Sequence, residues 1–84
     1  MTYTWPEGDP LEVEADALGT PLLLVWSDLT HPVERVVSRW RVDEEWWRAR
    51  IWREYFKLYT TTGLLVVIYH DFLGQRWFLQ VLYD

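Results

Sequence analysis

The sequence predicts a mainly β domain, a small curled antiparallel sheet or partly open barrel of about five strands, with at most a short helical turn near Asp43 to Trp47. Three observations carry that prediction. Apolar and polar residues alternate with period two over the runs 35–42, 50–60 and 76–83. Turn-forming clusters break the chain at Ser27-Asp28, Thr61-Thr62-Gly63 and Asp71 to Gln75. Seven tryptophans, five tyrosines and three phenylalanines supply the large side chains a short chain needs for a core.

Taken in order, residues 1–21 hold Pro6, Gly8, Pro10, Gly19 and Pro21 among five acids and no base, and read as an acidic, partly ordered arm. A short strand around Leu11-Glu12-Val13 is the one regular element expected there. Residues 22–84 then form a single small β-rich domain. Leu22 to Trp26 is a strand, Ser27 to Thr30 a tight turn, and the chain from His31 onward a second strand. On that strand Val36, Ser38, Trp40 and Val42 share one face and Arg35, Val37, Arg39 and Arg41 the other, so Trp40 is expected inward and the arginines outward.

Asp43-Glu44-Glu45 interrupts the alternation, and carboxylates suit the first turn of a helix, where free amides and the positive end of the dipole meet them. Alternation returns from Arg50 to Thr60, with Ile51, Tyr55 and Tyr59 on one face and Trp52, Phe56 and Leu58 on the other. Leu64 to Tyr69 is apolar throughout, as a strand covered on both faces would be. Arg76 to Tyr83 closes a three-stranded meander. Strands apolar on both faces imply an extra cover, supplied by the acidic arm, by curling of the sheet, or by a second subunit in a homodimer.

The net charge is −5, and seven of the eight bases lie between Arg35 and Lys57. Bulk electrostatics therefore oppose nucleic acid binding, while the middle of the chain is locally amphoteric. The absence of cysteine removes disulfides, thiolate metal sites and thiol nucleophiles. The first residues carry neither a basic nor an apolar leader pattern, and Leu64 to Tyr69 is too short to span a bilayer, so the expectation is a cytoplasmic protein without membrane contact.

No catalytic pattern emerges. His70-Asp71 is the one adjacent histidine-carboxylate pair, Ser27 and Ser38 lie in no nucleophile elbow, and the four glycines form no phosphate loop. We expect no enzyme, no cofactor and no metal. The stretch Arg39 to Arg53, with four tryptophans and five arginines, is the candidate binding surface, centred on Arg39, Arg41, Trp46, Trp47 and Arg48. Two readings stand for it. Its rings are core and its arginines pair with Glu34, Asp43, Glu44, Glu45 and Glu54, or the rings and guanidinium groups face a partner.

His31-Pro32-Val33-Glu34-Arg35-Val36, Arg39-Trp40-Arg41, Glu45-Trp46-Trp47-Arg48, Arg53-Glu54-Tyr55-Phe56, and Tyr69-His70-Asp71 through Gly74-Gln75-Arg76-Trp77-Phe78 carry a resemblance. Over about Leu22 to Tyr83 the chain resembles a small uncharacterised bacterial domain family. That family is found stand-alone and at the C-termini of catalytically inactive Y-family polymerase-like proteins of the damage-induced mutagenesis cassette. The resemblance implies a non-catalytic accessory module, associated with DNA repair or translesion synthesis through contacts with an unidentified protein partner. The alternative is single-stranded nucleic acid binding through the arginine-tryptophan face.

Overall fold

The computed structural model describes residues 1–46 and 49–83, with the Trp46 side chain also outside the description. Six strands follow one another: β1 Thr2–Ala15, β2 Pro21–Trp26, β3 Leu29–Trp46, β4 Ala49–Thr60, β5 Leu65–Asp71 and β6 Arg76–Tyr83. Each pairs antiparallel with the next, and β6 pairs back with β1, so the sheet closes into a ring. The turns follow local chemistry. Ser27 and Asp28 both take positive φ (54° and 60°) in the two-residue β2–β3 link, the geometry that matches strand twist.

The closure comes from β1, which the composition of residues 1–21 assigns to an arm outside the domain. Its residues 9–11 and 2–4 pair with β6, while 12–15 leave β6 and pair with β2. Glu12 and Glu14 are exposed while Leu11 and Val13 pack against the core, so acidity on one face coexists with burial of the other. The sheet thus has six strands, one more than the sequence suggests, the first of them Thr2–Ala15.

The expected helical turn near Asp43 to Trp47 is also absent through Trp46. Asp43, Glu44, Glu45 and Trp46 continue β3, opposite Trp52, Ile51, Arg50 and Ala49. Arg50 meets the Asp43 carboxylate at 3.3 Å, so the acid is matched by a cross-strand base instead of helix amides. Trp47 lies outside the described residues. β5 pairs with β4 up to Arg53 and the Phe72 amide still reaches the Trp52 carbonyl, so the segments 44–46 and 49–51 form a two-stranded ribbon projecting from the ring. The longest dimension is 41 Å, against 23 Å for the shortest.

Apolar groups fill both faces of the β3–β6 sheet. Leu24, Phe56, Leu58, Val66, Ile68 and Leu79 form the core inside the ring, with Trp5, Leu11, Val13, Trp26 and Trp77 packed around them. A second cluster on the outer face consists of Tyr55, Val67 and Tyr69 with Val42, Phe78 and Val81. Residues 5–8 of β1 are an irregular stretch between the Thr4–Val81 and Asp9–Leu79 pairs, in which Glu7 and Gly8 lie over this outer cluster. There the Tyr69 hydroxyl donates to the Glu7 carbonyl at 3.0 Å, which explains why an outward-facing ring is only 1% exposed.

Candidate functional site: a basic, aromatic outer face

The face assignment of β3 decides what its arginines and tryptophan do. Two bulges, between Val33 and Arg35 and between Val36 and Ser38, each insert one residue against β4. An inserted residue moves every following side chain to the opposite face. Val36, opposite Leu58, is therefore inside, whereas Ser38, Trp40 and Val42 are outside, opposite Lys57, Tyr55 and Arg53. Trp40 is not a core residue: it is 41% exposed and stacks on Tyr55 with centroids 5.3 Å apart and planes 5° apart.

The same shift turns Arg39 and Arg41 inward. Both bind Glu54, whose carboxylate accepts from Arg39 Nε (3.0 Å), Arg39 Nη2 (2.9 Å) and Arg41 Nε (2.9 Å). Arg39 also donates to the Leu18 carbonyl and the Thr20 hydroxyl, both at 3.2 Å, tying the β1–β2 turn across the inner face, and it sits 5.0 Å over the Phe56 ring. The pair expected outward at the centre of a binding surface is thus a structural clasp around a carboxylate that is 5% exposed. Trp47, Arg48 and the side chain of Trp46 lie outside the described residues.

Burial pushes the Glu54 carboxyl up, but the hydrogen bonds and charges of Arg39 and Arg41 outweigh it and hold the group below the usual carboxylate range. Burial also lowers the His70 imidazole, against weaker opposition from Asp71 and Glu54; its ring stacks on Trp77 at 4.6 Å. Both groups bind protons less readily folded than unfolded, so both favour folding at higher pH. Acidification is expected to lower stability first below 6.5, as the unfolded His70 charges, and again below 4.5, as the unfolded Glu54 protonates. Melting curves across pH check this: His70→Gln should flatten the first decline and Glu54→Gln the second, and slopes unchanged from wild type would refute the assignment.

On the outer face, cross-strand pairing builds four rows. Trp40, Tyr55, Tyr69 and Phe78 form one, with Tyr55 and Tyr69 centroids 5.2 Å apart and Tyr69 and Phe78 centroids 5.1 Å apart. To one side lie Val42, Arg53, Asp71 and Arg76; to the other, Ser38, Lys57, Val67 and Val81; beyond these, Arg35, Tyr59, Leu65 and Tyr83. Each base in these rows covers a ring: Arg53 over Tyr69 at 4.4 Å, Arg76 over Phe78 at 5.3 Å, Lys57 over Tyr83 at 4.9 Å and Arg35 over Tyr59 at 4.8 Å. The acid among them is Asp71, which accepts from the Leu73 amide at 3.0 Å and caps its own turn. A chain of net charge −5 therefore gathers bases and aromatic rings on one surface.

Tyr55, Lys57, Tyr69 and Arg76 lie outside the stretch that the sequence marks as a binding surface, and Arg53 is its last residue. A signal for some was present, because Arg53, Tyr55, Lys57 and Tyr59 alternate base and ring at odd positions of one strand. Adjacent strand residues point to opposite faces, which separates His70, inside against Trp77, from Asp71, outside at the turn. His31 is buried, bonds Thr62 through Nδ1 at 2.7 Å, and leaves Nε2 without a partner. Among the described residues no three or more His, Cys, Asp or Glu gather as a metal site, and no helix is long and apolar enough to cross a membrane. A cleft of about 530 Å³ opens where β1 leaves β6, lined by Leu11, Val13 and Trp77 with Glu12 and Arg76. In comparisons with known protein families, curated proteins and solved structures, nothing matches the chain.

Proposed function

We propose that the protein is a non-catalytic binding module that offers the outer face of β3–β6 to a partner protein. The supporting observation is the exposed, stacked Trp40 at the open end of the aromatic row, flanked by Lys57 and Arg53 one row to either side. Exposed tryptophans held in place by a stacking neighbour lose little freedom on binding, and Trp, Tyr and Arg carry most interface energy. The excess of bases on this face favours an acidic partner surface. The setting, by resemblance, is an accessory role in DNA repair or translesion synthesis.

A second reading has support from the same rows. Rings interleaved with bases suit the stacking and backbone neutralisation that single-stranded nucleic acid requires. One set of variants tests both. Trp40→Ala and Lys57→Glu should abolish recovery of partner proteins after cross-linking, while Glu14→Lys, at an exposed position where β1 pairs with β2, should not. Equal recovery by all variants would remove the face from consideration. Quenching of tryptophan fluorescence by an oligonucleotide at low salt, lost in Lys57→Glu, would favour the nucleic acid reading; no quenching at low salt would end it.

A further inference from the structure

We propose that the edge of β3 from Arg39 to Glu45 pairs with the same edge of a second copy, making an antiparallel dimer with Val42 opposite Val42. β3 pairs with β2 only over Leu29 to Pro32 and with β4 from Val33 to Trp46. Among the described residues β2 and β4 are the strands that contact β3, and on the side away from β4 none of them pairs with residues 34–46. No backbone hydrogen bond outside the strand ladders reaches that edge among the described residues. Unpaired amides and carbonyls of a long edge strand are a template for another strand.

The near part of this edge is protected. The bulges at Glu34 and Val37 break its regularity, and the β1–β2 turn is tied to Arg39 beside them. From Arg39 onward the pairing with β4 is regular, and the edge runs free along the projecting ribbon. A protein that blunts one half of an edge and leaves the other straight presents a single stretch for pairing.

The residue order of that stretch identifies the second strand as its own copy. Directly opposed residues in an antiparallel pair share a face, so a two-fold axis must place a residue opposite itself. With the axis at Val42, Arg41 faces Asp43 of the other copy and Arg39 faces Glu45, twice over by symmetry, with Trp40 beside Glu44 on the outer face. Moving the axis to Arg41 sets arginine against arginine, and moving it to Asp43 sets aspartate against aspartate. Opposite charges across strands stabilise and like charges oppose, so one register is favoured and its neighbours are penalised. Arg41 and Asp43 are available for it. The Arg41 side chain uses Nε on Glu54 and is 65% exposed, and that of Asp43 is 56% exposed beside Arg50.

The dimer makes one continuous sheet from the β3–β6 sheets of both copies, so the two aromatic, basic outer faces lie on the same side. This inference stands apart from the proposed function, since a monomer can bind a partner and a dimer can lack one.

The test is sedimentation equilibrium on the full chain together with single-cysteine cross-linking, which the absence of native cysteine makes specific. Directly opposed residues lie about 4.5 to 5.5 Å apart at Cα, within the span of a disulfide. Val42→Cys alone should therefore cross-link rapidly with oxidised glutathione, while Trp40→Cys alone and Glu44→Cys alone should not, and those two mixed should. Asp43→Arg with Glu45→Arg, both exposed, should shift the chain to monomer with an unchanged circular dichroism spectrum. A wild type that stays monomeric at all accessible concentrations overturns the proposal. So does a dimer unaffected by the double charge reversal, or one in which Trp40→Cys alone links as fast as Val42→Cys.

Discussion

Replacing Phe56 by alanine is expected to destabilise the protein by about 3 to 5 kcal/mol, the range for truncating a fully buried phenylalanine. Phe56 is 0% exposed, packs on Trp77 at 5.7 Å, and lies beneath the Arg39 guanidinium at 5.0 Å. Its removal leaves a cavity bounded by Leu58, Ile68 and Leu79, and it also loosens the arginine that ties the β1–β2 turn. A domain of this size has a stability of about 4 to 12 kcal/mol, so the loss is at least about a quarter of the total. Trp40→Ala offers the contrast. It deletes a larger ring and one stacking contact, but the space it leaves opens to solvent, so the loss should stay at or below about 2 kcal/mol. Urea denaturation of both variants decides the point through the shift in midpoint at constant slope. A larger loss at Trp40 than at Phe56 would mean that the faces of β3 are the reverse of those described.

That contrast also marks where the sequence is legible. The fold class could be read because period-two alternation and turn residues are local signals, and β4 and β5 follow them almost residue by residue, while in β6 a bulge at Gln80 turns Val81 and Tyr83 off the face of Trp77 and Leu79 on which alternation sets them. The faces of β3 could not, because a bulge is a property of two strands together: nothing in Val36-Val37-Ser38 says that Val37 has no partner on β4. One inserted residue sent Trp40 out and Arg39 and Arg41 in, and so dissolved the surface that the sequence assembled. β1 was obscured by composition. Five acids and two prolines before Pro21 argue for an arm, yet the acids alternate with Leu11 and Val13, and Pro6 falls where pairing with β6 is interrupted. The acidic triplet 43–45 suits a helix start in isolation, and only its pairing with Arg50, Ile51 and Trp52 makes it a strand. The basic, aromatic face needed four strands in register before it existed at all.

Gly8→Ala is expected to cost about 2 to 4 kcal/mol, combining left-handed backbone strain of about 1 to 2 kcal/mol with displacement of a packed strand. Gly8 has φ +80°, and an added Cβ would stand 2.7 Å from the Phe78 Cβ and 2.7 Å from the Tyr69 hydroxyl. The hydroxyl can swing away, at the loss of its bond to Glu7, but the Phe78 Cβ is fixed by the β6 backbone, so β1 itself must move. Two companions separate the contributions. Gly63→Ala, at φ +90° with nothing within 4 Å, carries the backbone strain alone. Tyr69→Phe removes only the bond to Glu7, expected at about 1 kcal/mol. If Gly8→Ala costs no more than Gly63→Ala, β1 does not lie tightly over the aromatic row. If it costs more than the two companions together, the excess measures the close contact that seats β1 on Tyr69 and Phe78. Faster amide exchange at residues 2–4 in Gly8→Ala, with β4 and β5 unchanged, would localise the damage to the β1–β6 seam that closes the ring.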